Sequence, residues 1–92
     1  MLDKQLKISD RVAARIIGGE TVIIGLDDNT MNILNDVGTF IWERVDAGKA
    51  MREIVSEICD EYEVDEEMAQ RDAEMFVKEM LSKKMFLESD ED

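Results

Sequence analysis

Cys59 is the only thiol in a chain of 92 residues, and no histidine stands anywhere to take its proton. Nucleophilic catalysis of the cysteine type needs such a partner, and metal centres lose their commonest ligand by the same omission. Cys59 falls within an apolar helical stripe, so core packing is its expected role. None of the spacings GxxxxGK[ST], GxGxxG or GxSxG occurs; Gly18-Gly19 has neither a third glycine nor a helix opening directly after it. The acidic turn Asp27-Asp28-Asn29-Thr30-Met31-Asn32 superficially matches a calcium loop. It fails where Met31 replaces an oxygen ligand, where Asn32 replaces the turn glycine, and where Gly38 falls at the position of the bidentate glutamate. Asp60 and Glu61 pair two carboxylates, but on a charge-rich helix end that faces water. The inventory argues against an enzyme and calls for neither cofactor nor metal.

Charge narrows the partners further. With 23 acidic residues against 11 basic ones the net charge is -12, a field that repels phosphate backbones, so nucleic acid is not an expected partner. The excess gathers in Asp60, Glu61, Glu63, Asp65, Glu66 and Glu67 and in the tail Glu88-Ser89-Asp90-Glu91-Asp92. Two roles fit these runs: a solvated loop and tail that keep a small protein in solution, or steering of a basic partner, which salt dependence of association separates. One cysteine excludes an internal disulfide, and no signal-like or membrane-spanning apolar run is present, so the expectation is a cytoplasmic protein that does not enter membranes.

The elements that position these residues follow from periodicity. The length fits a single domain, and a 45% hydrophobic content suffices for one modest core, expected over residues 12–87 with 1–10 and 88–92 as flexible ends. Residues 12–17 and 21–26 are β-branched-rich runs around Gly18-Gly19-Glu20, a hairpin signal; Asp27-Asp28-Asn29 makes a second turn, and residues 30–34 form a third strand. Leu34 to Gly48 then closes a strand, caps a helix over residues 36–46 at Asn35 or Asp36, and ends it on glycine. Met51, Ile54, Val55, Ile58, Cys59 and Tyr62 line one face of a second helix over residues 50–62. Asp65 caps a third, reaching about residue 84, with Ala69, Ala73, Phe76, Val77, Met80 and Leu81 on its inner side. Met68, Asp72, Met75 and Glu79 form an adjoining strip that is both soft and acidic. Trp42 is expected to anchor the core, and Phe86-Leu87 to tuck back onto it. The fold class is therefore α+β: a three-stranded antiparallel sheet followed by three helices.

This order of elements, with Leu34-Asn35, Phe40-Ile41-Trp42-Glu43, Gly48, Glu53-Ile54-Val55, Tyr62, Val64-Asp65 and Asp72, resembles the PqqD family over about residues 12–87. The family is named for a protein of pyrroloquinoline quinone (PQQ) biosynthesis, and related domains are called RiPP recognition elements. The chain departs from the pattern at Asp36, where a hydroxyl residue is usual, at Met85, where glycine is expected, and in having no proline. The resemblance implies a winged helix-turn-helix-like domain that binds peptide instead of DNA. It implies that a precursor leader is held as an added strand and presented to a modifying enzyme, often a radical S-adenosylmethionine (SAM) enzyme. Carried onto this chain, the edge is Thr30, Met31, Asn32, Ile33 and Leu34, and the helical wall includes Met68, Asp72, Met75 and Glu79.

An unpaired strand offers backbone donors and acceptors, while side-chain pockets beside it choose the sequence. Alternation puts residues 31 and 33 on the face opposite 32 and 34, so not every side chain can line one cleft. Two other classes compete. A winged-helix regulator of DNA is disfavoured by the acidic third helix, and a structural dimerisation module would also use an open edge; monomer and homodimer both stay open.

Overall fold

The computed structural model describes residues 5–88. In chain order the elements are β1 (Leu6–Ile8), β2 (Val12–Ile17), β3 (Glu20–Gly25), β4 (Met31–Leu34), α1 (Asp36–Asp46), α2 (Met51–Tyr62), α3 (Glu66–Ser82) and β5 (Phe86–Glu88). The architecture is α+β, with the expected antiparallel sheet in the order β2-β3-β4 and three helices after it. Gly18 and Gly19 both take positive φ, 59° and 83°, which gives a two-residue turn of the hand that suits a twisted hairpin. Glu20 therefore belongs to the strand that was expected to begin at Thr21.

A second sheet was not expected. Periodicity leaves residues 1–10 as a flexible end, yet Leu6–Ile8 pairs antiparallel with Phe86–Glu88, with Ile8 opposite Phe86, and Leu6 and Phe86 are buried. Three residues are too few to display a period, so the strand left no signal. Ser9, also expected to be flexible, is buried, and the Gln5 side chain donates to the Gly48 carbonyl at 3.0 Å; residues 1–4 and 89–92 lie outside the described residues.

The helix ends follow capping chemistry. Asn35 caps α1 by accepting from the Gly38 amide at 2.9 Å, and Asp65 caps α3 by accepting from the Met68 amide at 2.8 Å. Helix α3 stops at Ser82, two residues short of the expected end. Lys84 turns left-handed at φ 61° while its amide donates to the Leu81 carbonyl and the Met85 amide donates to that of Met80. This is a Schellman stop carried by lysine where glycine is usual, and burial of Met80 and Met85 supplies its hydrophobic contact.

The core lies between the inner face of the larger sheet and the helices, with Ile23, Ile41, Ile54, Val77 and Phe86 fully enclosed. Phe86 stacks beside Trp42 at 5.4 Å and meets the edge of Phe76 at 5.9 Å, so the C-terminal strand joins α1 to α3. Trp42 is buried, as a core anchor should be, and Cys59 is half-buried against the same cluster. Helix α1 is fastened to the sheet through Thr39, whose buried hydroxyl accepts from that of Thr21 at 2.7 Å and donates to the Leu34 carbonyl at 3.5 Å.

Candidate functional site

Strand β4 is an edge of its sheet, and its hydrogen-bonding direction can be read from one bond. The Gly25 amide donates to the Thr30 carbonyl at 2.9 Å, and the register sets Met31 opposite Ile24, Asn32 opposite Ile23 and Ile33 opposite Val22. Antiparallel pairs alternate between bonded and non-bonded, so Asn32 and Leu34 direct their peptide groups to β3. Those of Met31 and Ile33 point to the open edge. Side chains divide along the same line: Leu34 is buried and Asn32 half-buried on the inner face, whereas Met31 and Ile33 are 62% and 58% exposed on the outer one.

Opposite this edge stands α3, and two adjoining pockets that share lining residues make up a trough along it. One part, of about 390 Å³, has Val37, Gly38 and Ile41 of α1 as its floor and Asp72, Met75, Phe76 and Glu79 of α3 as its wall. The other, of about 200 Å³, runs along β4 past Asn32, Ile33 and Leu34 to Lys83. Asn35, Phe76 and Glu79 border both. Lys83 closes the far end, its ammonium donating to the Asn32 side-chain oxygen and to the Glu79 carboxylate, each at 3.0 Å. The trough thus joins a free backbone edge to an apolar floor with carboxylates on its rim, and it offers no nucleophile.

Of the residues expected at the site, Asn32, Ile33, Leu34, Asp72, Met75 and Glu79 are brought together along this trough. Met31 and Ile33 turn their side chains away, so the contribution of that pair to the edge is backbone. Met68, 49% exposed on the first turn of α3, borders neither part of the trough. Thr30 faces a separate cavity of about 400 Å³, where its amide and hydroxyl both donate to Asp28. Two of the charges there pair with each other: Arg11 donates to Asp27 at 2.5 Å, and the bond holds that carboxyl below its ordinary range. Phe76, Gly38 and Lys83 were not expected at the site. Periodicity assigns Phe76 to the core and the helix dipole accounts for Lys83, so neither carried a separate signal. Gly38 does carry one, a glycine in the first turn of a helix. A Cβ there would meet the Leu34 Cβ at 3.1 Å and a Phe76 ring carbon at 3.2 Å, so its bareness keeps the floor open.

An α+β module with an open strand edge facing a helix across a trough with an apolar floor is the class these features define. A family model described as coenzyme PQQ synthesis protein D (PqqD) matches residues 20–85, and the chain belongs to that family. Among solved structures, "TbiB1 in Complex with the TbiA(beta) Leader Peptide" is 38% identical, with a TM-score of 0.84 over 87% of this chain and 93% of that one. "Lasso peptide synthetase B1 complexed with the leader peptide" shares the fold, with a TM-score of 0.83 at 21% identity over 89% of this chain and 96% of that one. A comparison with curated proteins finds no match. No helix among the described residues is long and apolar enough to cross a membrane.

Proposed function

We propose that this protein is a non-catalytic peptide chaperone: it binds the leader of a ribosomally made precursor by strand addition to β4 and presents it to a modifying enzyme. The observation that carries the reading is the free edge at Met31 and Ile33, set beside a trough whose other wall is α3. Backbone bonds to the edge supply sequence-tolerant affinity, and side chains reaching the trough supply selection. Membership of the PqqD family and the leader complex of the 38% identical TbiB1 support it.

The test is a titration with the synthetic leader of a short precursor peptide sought among the neighbouring genes. Micromolar or tighter binding is expected, with amide shifts concentrated in residues 30–34 and along the Asp72–Glu79 flank of α3. Ile33→Pro removes an outward donor and is expected to weaken binding by about tenfold or more while the sheet survives. Asn32→Pro removes an inward one and is expected to unfold the sheet. Shifts confined to α2, or unchanged affinity for Ile33→Pro, would sink the strand-addition reading.

The modifying enzyme is the finer part of the proposal. The PQQ branch of the family implies a radical SAM enzyme, whereas the more distant structural relative is described as part of a lasso peptide synthetase. Affinity purification of the tagged chain separates the two. A partner with an iron–sulfur chromophore supports the radical assignment, and a stoichiometric partner without one removes it.

A further inference from the structure

The outer face of β4 goes beyond the trough. Ile33 lies opposite Val22 and Met31 opposite Ile24, so four apolar side chains form a strip that runs across two strands and stops at the free edge. Its edge members are the open ones: Met31 and Ile33 are more than half exposed, while Val22 and Ile24 behind them are half-buried. On a chain with 37% charged residues, an uncovered apolar row at a sheet margin is out of keeping with its surroundings.

Resting on the strand-addition reading, we infer that Met31 and Ile33 are specificity-determining residues that select apolar side chains at two alternate positions of the bound strand. The reason is the pleat. A strand bonded to the peptide groups of Met31 and Ile33, in either direction, places every second side chain on the outer face beside its neighbour in register. The positions adjoining Met31 and Ile33 therefore stand two apart in the peptide and extend the Val22-Ile24 strip by one row. Branched aliphatic or aromatic side chains there gain cross-strand contact, whereas charged ones would be set against an apolar strip. The intervening positions face Asn32, Leu34 and the trough. The leader is thus read on both of its faces, and the outer reading is independent of α3.

The probe is a displayed library of random 12-residue peptides selected on the full chain, with Ile33→Pro and the double variant Met31→Thr/Ile33→Thr as comparisons. Enriched peptides are expected to share two apolar residues spaced two apart and to lose binding on Ile33→Pro. They should bind the threonine variant about fivefold to tenfold more weakly. Replacing the two peptide residues by threonine should cost the same factor on the wild-type chain and little on the threonine variant, a coupling that needs no folding assumption on the wild-type arm. Peptides that require the Ile33 amide but bind the threonine variant as tightly as wild type overturn this inference alone. Peptides indifferent to Ile33→Pro, or no enrichment at all, overturn the strand-addition reading beneath it.

Discussion

Gly38 carries the sharpest consequence at the scale of single residues. Alanine there gains helix propensity of about 1 kcal/mol but must push on the Leu34 Cβ and on the half-buried Phe76 ring, which borders the trough. Gly38→Ala is therefore expected to leave folding stability within about 1 kcal/mol of wild type while leader affinity drops by about tenfold. A denaturant melt and a titration on the same sample check both halves; a variant that binds normally would show that the floor takes no part. Asp72, Met75 and Glu79 were legible because one helical strip carries them in steps of three and four residues. Lys83 was not, because its role is a bond to Asn32, 51 residues away, and no local period records such a partner. Met31 and Ile33 were placed at the edge by sequence, but which of their groups faces the edge follows from the bond between Gly25 and Thr30.

At the scale of elements, strand β4 can serve as an edge only while α1 and β3 hold it in position. Thr39 of α1 accepts from the Thr21 hydroxyl and reaches the Leu34 carbonyl at 3.5 Å, so one residue ties the helix to both strands. Thr39→Val keeps the shape and leaves the enclosed Thr21 hydroxyl without its partner, an expected loss of about 1–3 kcal/mol. Adding Thr21→Val removes the orphaned group and should recover most of that loss, a non-additivity that urea melts of the two single variants and the double variant measure directly. Strictly additive losses would mean that the pair does not act as a unit. Sequence placed these elements well because turn glycines, Asn35, Asp65 and the apolar stripes are local signals. It set the end of α3 two residues late because lysine pairs suit a helix end by charge. The left-handed turn at Lys84 is stabilised by burial of Met80 and Met85, which only packing supplies.

Across the whole molecule, the acidic excess makes the few cations structurally important. Glu57 of α2 accepts from Lys49 at 2.5 Å and from Arg44 of α1 at 3.0 Å, and Arg44 also lies 3.5 Å from the centre of the Phe40 ring. These two bonds, Lys49 first and Arg44 second, hold the Glu57 carboxyl below its ordinary range. A carboxyl lowered by folding contributes stability above its unfolded pKa, about 4.3, and loses it as pH falls through the folded value. The stability difference between wild type and Glu57→Gln should therefore be full at pH 7 and close on acidification below about pH 4. Parallel acid titrations of thermal stability would check it, and a gap independent of pH would remove the linkage. By itself the sequence determined the α+β class, the order of three strands and three helices, a cap for the first helix at Asn35 or Asp36 and for the third at Asp65, and the acidic strip on α3. Each of these is written in spacing, turn chemistry or charge over a few neighbouring residues. Only the tertiary structure decided that Leu6–Ile8 pairs with Phe86–Glu88, that the Met31 and Ile33 amides face outward, and that Lys83 and Gly38 bound the trough. These features depend on register and on contacts between residues far apart in the chain, and a one-residue change in register would turn every group in β4 to the opposite side.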